Sequence, residues 1–328
     1  MRVSVIVPVY NVAPWLGECL DSALGEDGDI EVICVDDGST DGSGAILDER
    51  AAKSGGRMKV IHKKNGGVSS ARNAALKLAT GDWIMFLDGD DVFARGWFSV
   101  VSGMAERCPD IPVLGFERSI TLPLEPVSLG GIRELDTSRR LPLVSFVNDM
   151  WQFAYRRSML AGLEFGPFTH GEDKLFQGQA MLRADRIALC DAIIYGYRQR
   201  MGSAMRSVWG ERGFRDDIAW RFAWMDALKA SGKDLVWMLR YSTGSWFLNY
   251  IPRNALRMKD KFLRERLLDI WFDSLETVAK SNFVVPVHRI AIKTLSVTRS
   301  RILMCPIVVV MAIGNLSAGF WRRHKWCR

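Results

Sequence analysis

The sequence is poor in the residues that build disulfide and zinc sites. It has six cysteines and four histidines in 328 residues, with no C-x-x-C pair and no histidine at metal-ligand spacing. Scattered cysteines of this kind are typical of reduced thiols in a cytosolic protein. The sequence also lacks the G-x-G-x-x-G and G-K-[ST] patterns, which disfavours dinucleotide cofactors and P-loop nucleotide hydrolysis.

Internal repeats and low-complexity tracts are absent as well, and no signal peptide is expected. The first residues, MRVSVIVPVYNV, contain one basic residue and a short apolar run without an A-x-A-like cleavage site, so they predict a first strand. The composition is 48% hydrophobic and 25% charged, which excludes disordered, collagen-like and disulfide-scaffold classes. A chain of this length commonly forms one large domain with an appendage.

Positive charge is concentrated near the C-terminus. Residues 251–328 hold 15 basic and 5 acidic residues, whereas residues 1–250 hold 29 and 32. Residues 302–321 carry no charge and lie between basic residues, a pattern that favours an anchor lying in an anionic membrane surface. A single membrane span and a buried core helix remain alternatives. Because the basic residues flank an apolar run, no nucleic-acid partner is expected.

Strand and helix patterns alternate through the first hundred residues. Each apolar strand pattern is followed by polar turn residues and then by a helical pattern, and the four strands are expected at residues 3–9, 30–35, 58–62 and 83–87. Continuously apolar strands joined by helices predict a doubly wound, mostly parallel α/β sheet. Since ligands gather at the carboxyl ends of such strands, the polar turns should meet in one cleft.

After residue 110 the periodicity weakens. Strands are expected at residues 112–116, 187–189 and 192–197, and helices at residues 143–151 and 174–182. These elements predict a mixed extension of the sheet that forms the second wall of the cleft. The pattern from residue 210 onward is helical and rich in tryptophan.

The segment FLDGDD places three carboxylates, Asp88, Asp90 and Asp91, at the end of a buried strand. Carboxylates this close repel one another unless a cation or hydrogen-bond donors compensate. Oxygen ligands without nearby histidine or cysteine favour Mg²⁺ or Mn²⁺ over Zn²⁺. The alternative is a solvated turn in which Asp91 caps a following helix.

Two further turns have both a structural and a functional interpretation. VDDGSTDGS is either a turn with helix-capping residues or a place where a carboxylate accepts the imide N–H of a pyrimidine. The loop before residue 68 contains Gly66 and Gly67 and leads into a helix start, which offers free N–H groups to an anion.

Four motifs occur in the order and spacing found in family-two inverting glycosyltransferases. They are SVIVPVYN, VDDGSTDGS, GGVSSARNAAL and FLDGDD. The chain resembles this family densely over residues 1–100 and more thinly to about residue 205. The resemblance implies the GT-A fold, with a C-terminal helical and membrane-associated extension, and transfer of one sugar from a nucleotide-sugar, favouring a UDP-sugar.

The resemblance also implies roles for individual residues on the donor side. The residues expected to bind the nucleotide-sugar are Pro8, Tyr10 and Asn11 along the base, Asp37 hydrogen-bonded to the base, Arg72 at the edge of the base, and Asp88. Asp88 and Asp90 form the Asp-x-Asp pair that holds Mn²⁺ or Mg²⁺, with Asp90 as the direct ligand. The cation neutralises charge on the leaving diphosphate.

The family's catalytic base lies in a Glu-Asp motif before a helix, which here is HGED followed by KLFQGQAML. We expect Asp173 to take the proton of the acceptor hydroxyl, and Glu172 either to support it or to bind the acceptor. As an isolated dipeptide, the pair is more often explained by a favourable helix N-terminus, but its position after FLDGDD favours the catalytic role. Arg198 resembles an arginine of the family loop that folds over the diphosphate, and no Q-x-x-R-W motif of processive synthases is present.

Together these observations predict a GT-A domain at residues 1–210 and a helical C-terminal region at residues 211–328. In the GT-A domain, residues 1–100 bind the nucleotide-sugar and residues 101–210 face the acceptor, while residues 299–328 form the basic, apolar tail. The expected partners are a nucleotide-sugar, a glycan or lipid-linked acceptor, and an anionic membrane surface at the cytoplasmic face of the inner membrane. A catalytically silent nucleotide-sugar-binding module and a nucleotidyltransferase are the alternatives.

Overall fold

The computed structural model describes residues 1–138, 149–200, 210–232 and 260–280. The chain divides into two units, one made of Met1–Ser207 with Ala230–Lys233 and the other of Val208–Lys229 with Asp234–Arg328. All strands of the described residues belong to the first unit.

Strands and helices alternate through the first half of the first unit. In chain order they are β1 (Val3–Val9), α1 (Ala13–Leu24), β2 (Ile30–Asp36), α2 (Ser43–Lys53), β3 (Met58–His62), α3 (Val68–Leu76), β4 (Trp83–Phe86), β5 (Val92–Phe93) and α4 (Trp97–Arg107). The strands expected at residues 3–9 and 58–62 have these bounds, and those expected at residues 30–35 and 83–87 differ by one residue. The predicted alternation is confirmed.

The second half of this unit is more irregular. It contains β6 (Val113–Ser119), β7 (Ile132–Asp136), β8 (Phe153–Arg156), α5 (Glu172–Arg183) and β9 (Arg186–Gly196), with short 3-10 helices at Met150–Gln152 and Arg157–Leu160. The two strand pieces predicted near residue 190 form one continuous strand, β9. Strands β5, β7 and β8 were not predicted, because β5 has two residues and β7 has no buried residue to mark a core-facing side.

The nine strands of the described ranges join one sheet, in the order β3-β2-β1-β4-β8-β6-β9-β5 with β7 also paired to β9. β1 runs parallel to β2 and β4, and β2 runs parallel to β3. β8 runs antiparallel to both β4 and β6, while β6 and β9 are parallel. The sheet therefore has a parallel half and a mixed extension, as the sequence predicts.

Burial explains why the first strands are continuously apolar. All residues of β2 are buried, and so are all residues of β1 except Pro8. A strand covered on both faces gains from an apolar side chain at every position. Helix α1 buries Leu16, Cys19, Leu20 and Ala23 along one side, which is the predicted helical face.

The described part of the second unit contains two helices, α6 (Glu211–Ser231) and α7 (Lys261–Lys280). The helix predicted at residues 143–151 falls mostly outside the described residues, and the predicted membrane segment at residues 302–321 lies wholly outside them. Within the described residues, no helix is both long enough and apolar enough to cross a bilayer.

A buried carboxylate holds the amino-terminal ends of the parallel strands together. Glu31 on β2 is 1% exposed and accepts hydrogen bonds from the hydroxyl of Ser4 at 2.5 Å and the backbone N–H of Thr80 at 2.6 Å. Lys59 on β3 donates to it at 2.9 Å. Burial raises the pKa of Glu31, but the bonds from Ser4, Thr80 and Lys59 outweigh burial and lower its pKa from 4.5 to about 2.

This arrangement predicts an acid-sensitive contribution to stability. Because the folded-state pKa lies below the unfolded value, the contribution is present above pH 4.5 and is lost as pH falls toward 2. We expect Glu31→Gln to lower the free energy of unfolding by roughly 2–3 kcal/mol at pH 7. The variant should also lose much of the wild type's pH dependence between pH 5 and 2, measured by urea unfolding across that range.

Glu106→Gln is the matched control, since Glu106 is an exposed glutamate on α4. It should leave both the midpoint and the pH dependence close to wild type. A Glu31→Gln variant as stable as this control would contradict the role assigned to Glu31.

Candidate active site

Parallel pairing brings three strand ends to one edge of the sheet. The backbone N–H of Asp37, just after β2, bonds the carbonyl of Val9 at 2.8 Å, and the N–H of Leu87, just after β4, bonds the carbonyl of Ile6 at 3.0 Å. The turns that follow β1, β2 and β4 therefore lie side by side. These turns contain most of the residues that the sequence marks as donor-binding.

The turn after β1 is tied to the turn after β2. Asn11 has a backbone φ of 52°, in the left-handed region that asparagine tolerates better than most residues. Its side-chain oxygen accepts the N–H of Thr40 at 2.8 Å, and its own N–H donates to the hydroxyl of Ser39 at 3.1 Å. Next to it, the ring of Tyr10 is half exposed, while Pro8 is partly buried.

Asp37 organises the loop that begins α3. It is 3% exposed, and its carboxylate accepts the backbone N–H groups of Gly66 at 3.0 Å and Gly67 at 2.7 Å. Lys63 donates to it at 2.5 Å. Gly67 has a φ of 87°, which glycine adopts without steric cost. The predicted hydrogen bond from Asp37 to a nucleotide base stays a prediction.

Asp88, two residues after the end of β4, receives donors on both carboxylate oxygens. Arg72 on α3 donates to Oδ1 at 2.9 Å, and the indole N–H of Trp151 donates to Oδ2 at 2.5 Å. The next residue is Gly89, where a Cβ atom would lie 3.0 Å from the side chain of Val12. The glycine lets the acidic turn pack closely against the turn after β1.

Asp90 is paired with an arginine from the end of the mixed half of the sheet. The Nε of Arg200 bonds its carboxylate, and the guanidinium of Arg200 also lies 4.8 Å from the ring centre of Trp15 on α1. The backbone carbonyl of Asp90 accepts the Nε–H of Arg198 at 2.9 Å. The side chain of Asp90 keeps 16% of its surface exposed.

Asp91 is the buried member of the acidic cluster. It is 1% exposed and accepts the hydroxyl of Tyr195 at 2.6 Å and the backbone N–H of Arg198 at 2.7 Å. Burial, and after it the negative charge of Asp88, raises the pKa of Asp91 to about 8. The alternative in which Asp91 caps a helix is wrong, because the strand β5 follows it.

Arg198, expected to face a diphosphate, is extensively bonded within the chain. Besides its contacts with Asp90 and Asp91, its Nη2 donates to Glu18 on α1 at 2.6 Å. These bonds fix the segment after β9 against the acidic turn. Arg200, the second arginine of the same loop and the less favoured candidate from the sequence, contacts the Asp90 carboxylate itself.

Arg72 connects the acidic turn to the start of α5. Its Nη1 donates to Glu172 at 3.0 Å, and its Nη2 reaches Asp88. Burial lowers the pKa of Arg72, but the charges of Asp88 and Glu172 outweigh burial, and the net shift is upward. The predicted position of Arg72 at the edge of a nucleotide base stays a prediction.

The Glu172–Asp173 pair opens α5, as the sequence predicts for the helix start. Burial raises the pKa of Glu172, Arg72 opposes that shift, and the negative charge of Asp173 adds to it. Asp173 is partly buried, and its Oδ1 accepts the backbone N–H of Lys174 at 2.8 Å. The two adjacent carboxylates thus have different surroundings, because Glu172 is held by a cation while Asp173 retains exposure.

Sequence reasoning missed several side chains that complete this cluster. They are Trp15, Glu18, Trp151 and Tyr195. Tyr195 has a recognisable signal, since its hydroxyl is buried at the end of a strand and needs a partner. Trp151 has none, because its position depends on the pairing of β8 with β4 and β6.

The donor set is compatible with a hard divalent cation. Asp88 and Asp90 supply only oxygen atoms, the ligand type that Mg²⁺ and Mn²⁺ prefer. The charges of Asp88 and Asp90 also help to raise the pKa of Asp91. Within the described ranges, no three histidine, cysteine, aspartate or glutamate side chains already lie at metal-binding distance.

Comparisons with known proteins agree with this arrangement. The sequence model of the family described as Glycosyl transferase family 2 matches residues 4–163. The glycosyltransferase EpsJ of Bacillus subtilis (strain 168) is 37% identical over 214 residues, covering 61% of this chain and 62% of EpsJ. The glycosyltransferase GlyG of Streptococcus pneumoniae serotype 4 is 41% identical over 233 residues, covering 66% of this chain and 77% of GlyG.

Solved structures share the fold at lower identity. S. aureus TarS 1-349, crystallised with UDP-GlcNAc, superposes with a TM-score of 0.67 at 20% identity, over 96% of this chain and 92% of that one. The mannosyltransferase PcManGT from Pyrobaculum calidifontis, in complex with GDP-Man and Mn²⁺, has a TM-score of 0.51 at 17% identity, over 96% and 87%. These similarities confirm the predicted GT-A fold.

The match to relatives is partial in length. The chain spans 62% of EpsJ and 34% of GlyA, a Streptococcus pneumoniae glycosyltransferase that is 29% identical over 246 residues. The family match nevertheless includes the first three strand ends and the acidic turn, and the identity with GlyG extends over most of that relative. The chain belongs to glycosyl transferase family 2.

Proposed function

We propose that this chain transfers one sugar from a nucleotide-sugar to an acceptor hydroxyl, with inversion at the anomeric carbon. One observation carries the proposal: Arg72 joins the donor-side carboxylate Asp88 to Glu172, the neighbour of Asp173. An inverting transferase needs negative groups for two tasks, holding the donor's cation and accepting the acceptor's proton. Family membership supports the same reaction class.

The donor in this proposal is a UDP-sugar. S. aureus TarS was crystallised with UDP-GlcNAc and with UDP, and this chain shares its fold. Pro8, Tyr10, Asn11 and Asp37 form the base-binding side, where the exposed ring of Tyr10 offers a stacking surface.

Asp90, with Asp88 beside it, is the proposed holder of Mn²⁺ or Mg²⁺. Such a cation supplies Lewis-acid neutralisation of charge on the leaving diphosphate. Mn²⁺ accompanies GDP-Man in PcManGT, which supports a metal-dependent reaction. Arg198 and Arg200, which lie against Asp90, add positive charge to the same side of the cleft.

Asp173 acts as the base. Its carboxylate accepts the proton of the acceptor hydroxyl while that oxygen bonds to the anomeric carbon, and the bond between the anomeric carbon and the diphosphate oxygen breaks. Asp173 lies in the first turn of α5 and is partly exposed, so an acceptor hydroxyl can reach its carboxylate. Glu172 is held by Arg72 and orients the helix start rather than exchanging protons.

The acceptor is a glycan, or a lipid-linked precursor of one, used in building a cell-surface polymer. This part of the proposal rests on relatives with named roles. Over 95 residues the chain is 41% identical to the poly(ribitol-phosphate) beta-glucosyltransferase of Bacillus spizizenii, which covers 28% of this chain and 15% of that enzyme. Over 101 residues it is 44% identical to the minor teichoic acid biosynthesis protein GgaB, covering 30% of this chain and 11% of GgaB.

The donor and the metal are tested together by following hydrolysis of UDP-, GDP- and dTDP-sugars with Mn²⁺, with Mg²⁺ and with chelator. We expect release of UDP from one donor only when a divalent cation is present. Asp90→Ala should lower that rate by about 100-fold or more, because it removes the proposed metal ligand. Asp27→Ala, a change of an exposed aspartate before β2, is the matched control and should keep the wild-type rate.

A metal-independent rate, or an Asp90→Ala variant as active as Asp27→Ala, would contradict the metal role of Asp90. If no donor reacts and no acceptor restores turnover, UDP binding measured by calorimetry distinguishes a silent binding module from a chain that does not bind nucleotide.

The assignment of Asp173 as the base is tested by changing the two adjacent carboxylates at the start of α5. We expect Asp173→Asn to lower kcat by about 10³-fold with little change in the Kd for UDP, because loss of a general base costs about 10²–10⁴-fold. Glu172→Gln should cost less, since glutamine keeps an oxygen that can accept from Arg72. Single-turnover kinetics with saturating donor and acceptor measure both variants, and an active Asp173→Asn enzyme would contradict the assignment.

A further inference from the structure

We infer that Arg72 is a positioning residue for catalysis: by holding Asp88 and Glu172 with one guanidinium, it sets the orientation of the α5 start that presents Asp173 to the acceptor. The inference rests on the proposed function. It assigns Arg72 a role other than the nucleotide contact that the family resemblance implies. Arg72 touches no reacting atom in this account and acts through Glu172.

The first support is the geometry of the bridge. Nη1 of Arg72 lies 3.0 Å from the Glu172 carboxylate, and Nη2 lies 2.9 Å from the Asp88 carboxylate. Charge-assisted bonds of this length are among the stronger hydrogen bonds in proteins. Asp88 follows β4 and Glu172 opens α5, so the guanidinium joins two elements that are not adjacent in sequence.

The second support is an aromatic clamp around the guanidinium. The centre of the Arg72 guanidinium lies 5.3 Å from the ring centre of Phe165, within cation–π range. Phe165 in turn stacks on Phe176 of α5 with centroids 3.9 Å apart and an interplanar angle of 3°. Asn73, next to Arg72 on α3, exchanges two hydrogen bonds with the backbone of Phe165, at 3.0 and 2.8 Å. The same clamp therefore contacts both α3 and α5.

The third support is that burying the bridge lowers the stability of the fold, which a purely structural role does not explain. Arg72 is 3% exposed, and its Nε–H is buried without a hydrogen-bond partner in the described part of the chain. An unsatisfied buried donor is destabilising, and well-packed apolar side chains can replace a buried ion pair without loss of stability. A charged bridge at this position is better explained by the orientation it imposes on two carboxylates.

Electrostatics connect the bridge to Asp173 as well. The charge of Asp173 contributes to raising the pKa of Arg72. The described groups that interact electrostatically with Asp173 include Arg72 from α3, Tyr155 from β8 and its helix neighbour Glu172. Arg72 also contacts Asp88, so its loss should change both the helix start and the surroundings of the Asp88 carboxylate.

The test compares Arg72→Lys with Arg72→Met. Lysine keeps the positive charge but has one ammonium group in place of a planar fork, so it cannot hold both carboxylates in the same geometry. We expect both variants to lower kcat by about 100-fold, the loss typical of misplaced catalytic groups. The Kd for UDP without added metal, measured by calorimetry, should change less than about threefold, because the residue does not bind the nucleotide.

The pH dependence of kcat distinguishes the effect of Arg72 on orientation from the effect of its positive charge. In Arg72→Met the acidic limb of the kcat profile should move to higher pH by about one unit, because carboxylates next to a lost cation are easier to protonate. In Arg72→Lys the limb should stay near its wild-type position while kcat remains low. Hydrogen–deuterium exchange over residues 169–177 should be faster in both variants than in wild type, a readout that does not need turnover.

A double-mutant cycle identifies the partner through which Arg72 acts. If Arg72 acts through Glu172, the double variant Arg72→Met with Glu172→Gln should be no slower than the slower single variant. Lys77→Met, a change of an exposed residue just after α3, is the matched control and should keep wild-type kcat, Kd and exchange rates.

The inference is overturned if the Kd for UDP rises in step with the loss of kcat/KM, since Arg72 would then bind the nucleotide. Wild-type kcat in Arg72→Lys, or unchanged exchange over residues 169–177 in both variants, would overturn it as well. Failure of the proposed function is recognised separately, because wild-type protein would then turn over no donor with any acceptor, while the exchange measurement still reports on the bridge.

Discussion

One buried guanidinium carries the central constraint of the site. Arg72 is held between Asp88 and Glu172 at hydrogen-bonding distance, with Phe165 alongside it. A buried cation is tolerated only where paired charges and hydrogen bonds replace the water it has lost. The buried guanidinium therefore requires both carboxylates within hydrogen-bonding distance. The turn after β4 and the start of α5 have to meet at Arg72 for this reason.

The acidic turn is compatible with folding because its three carboxylates are balanced in three different ways. Asp88 receives N–H donors on both oxygens, and Asp90 is paired with Arg200. For Asp91, burial raises the pKa to about 8, and the Tyr195 hydroxyl donates to its carboxylate. Of the three, Asp90 combines partial exposure with a single arginine partner on its carboxylate. For that reason we propose that Asp90 is the carboxylate that can exchange its arginine partner for a cation.

Much of this architecture could be predicted from the sequence because local chemistry determines it. The continuously apolar strands near the N-terminus follow from burial on both faces, and the turns after them meet because parallel neighbours end at the same edge. The acidic turn and the Glu172–Asp173 helix start could be located by their motifs.

Other contacts could not be predicted, because they depend on how distant segments pair. Trp151 reaches Asp88 only because β8 inserts beside β4, and the Arg72 bridge spans 100 residues of sequence to Glu172. Strand β7 escaped detection because its side chains are not buried in an alternating pattern. Sequence periodicity reflects which residues are buried, and neither these long-range contacts nor strand β7 produces a periodic pattern.

The account depends most on a single base. Asp173 takes the proton of the acceptor hydroxyl, and the hydroxyl oxygen attacks the anomeric carbon from the face opposite the leaving group. The stereochemistry of the product tests this directly. Proton NMR of the reaction, recorded as it proceeds with an α-linked nucleotide-sugar that the protein accepts, should show a β-linked anomeric signal in the first product formed. An α-linked first product would contradict the account, because retention requires a different reaction course from the one assigned to Asp173.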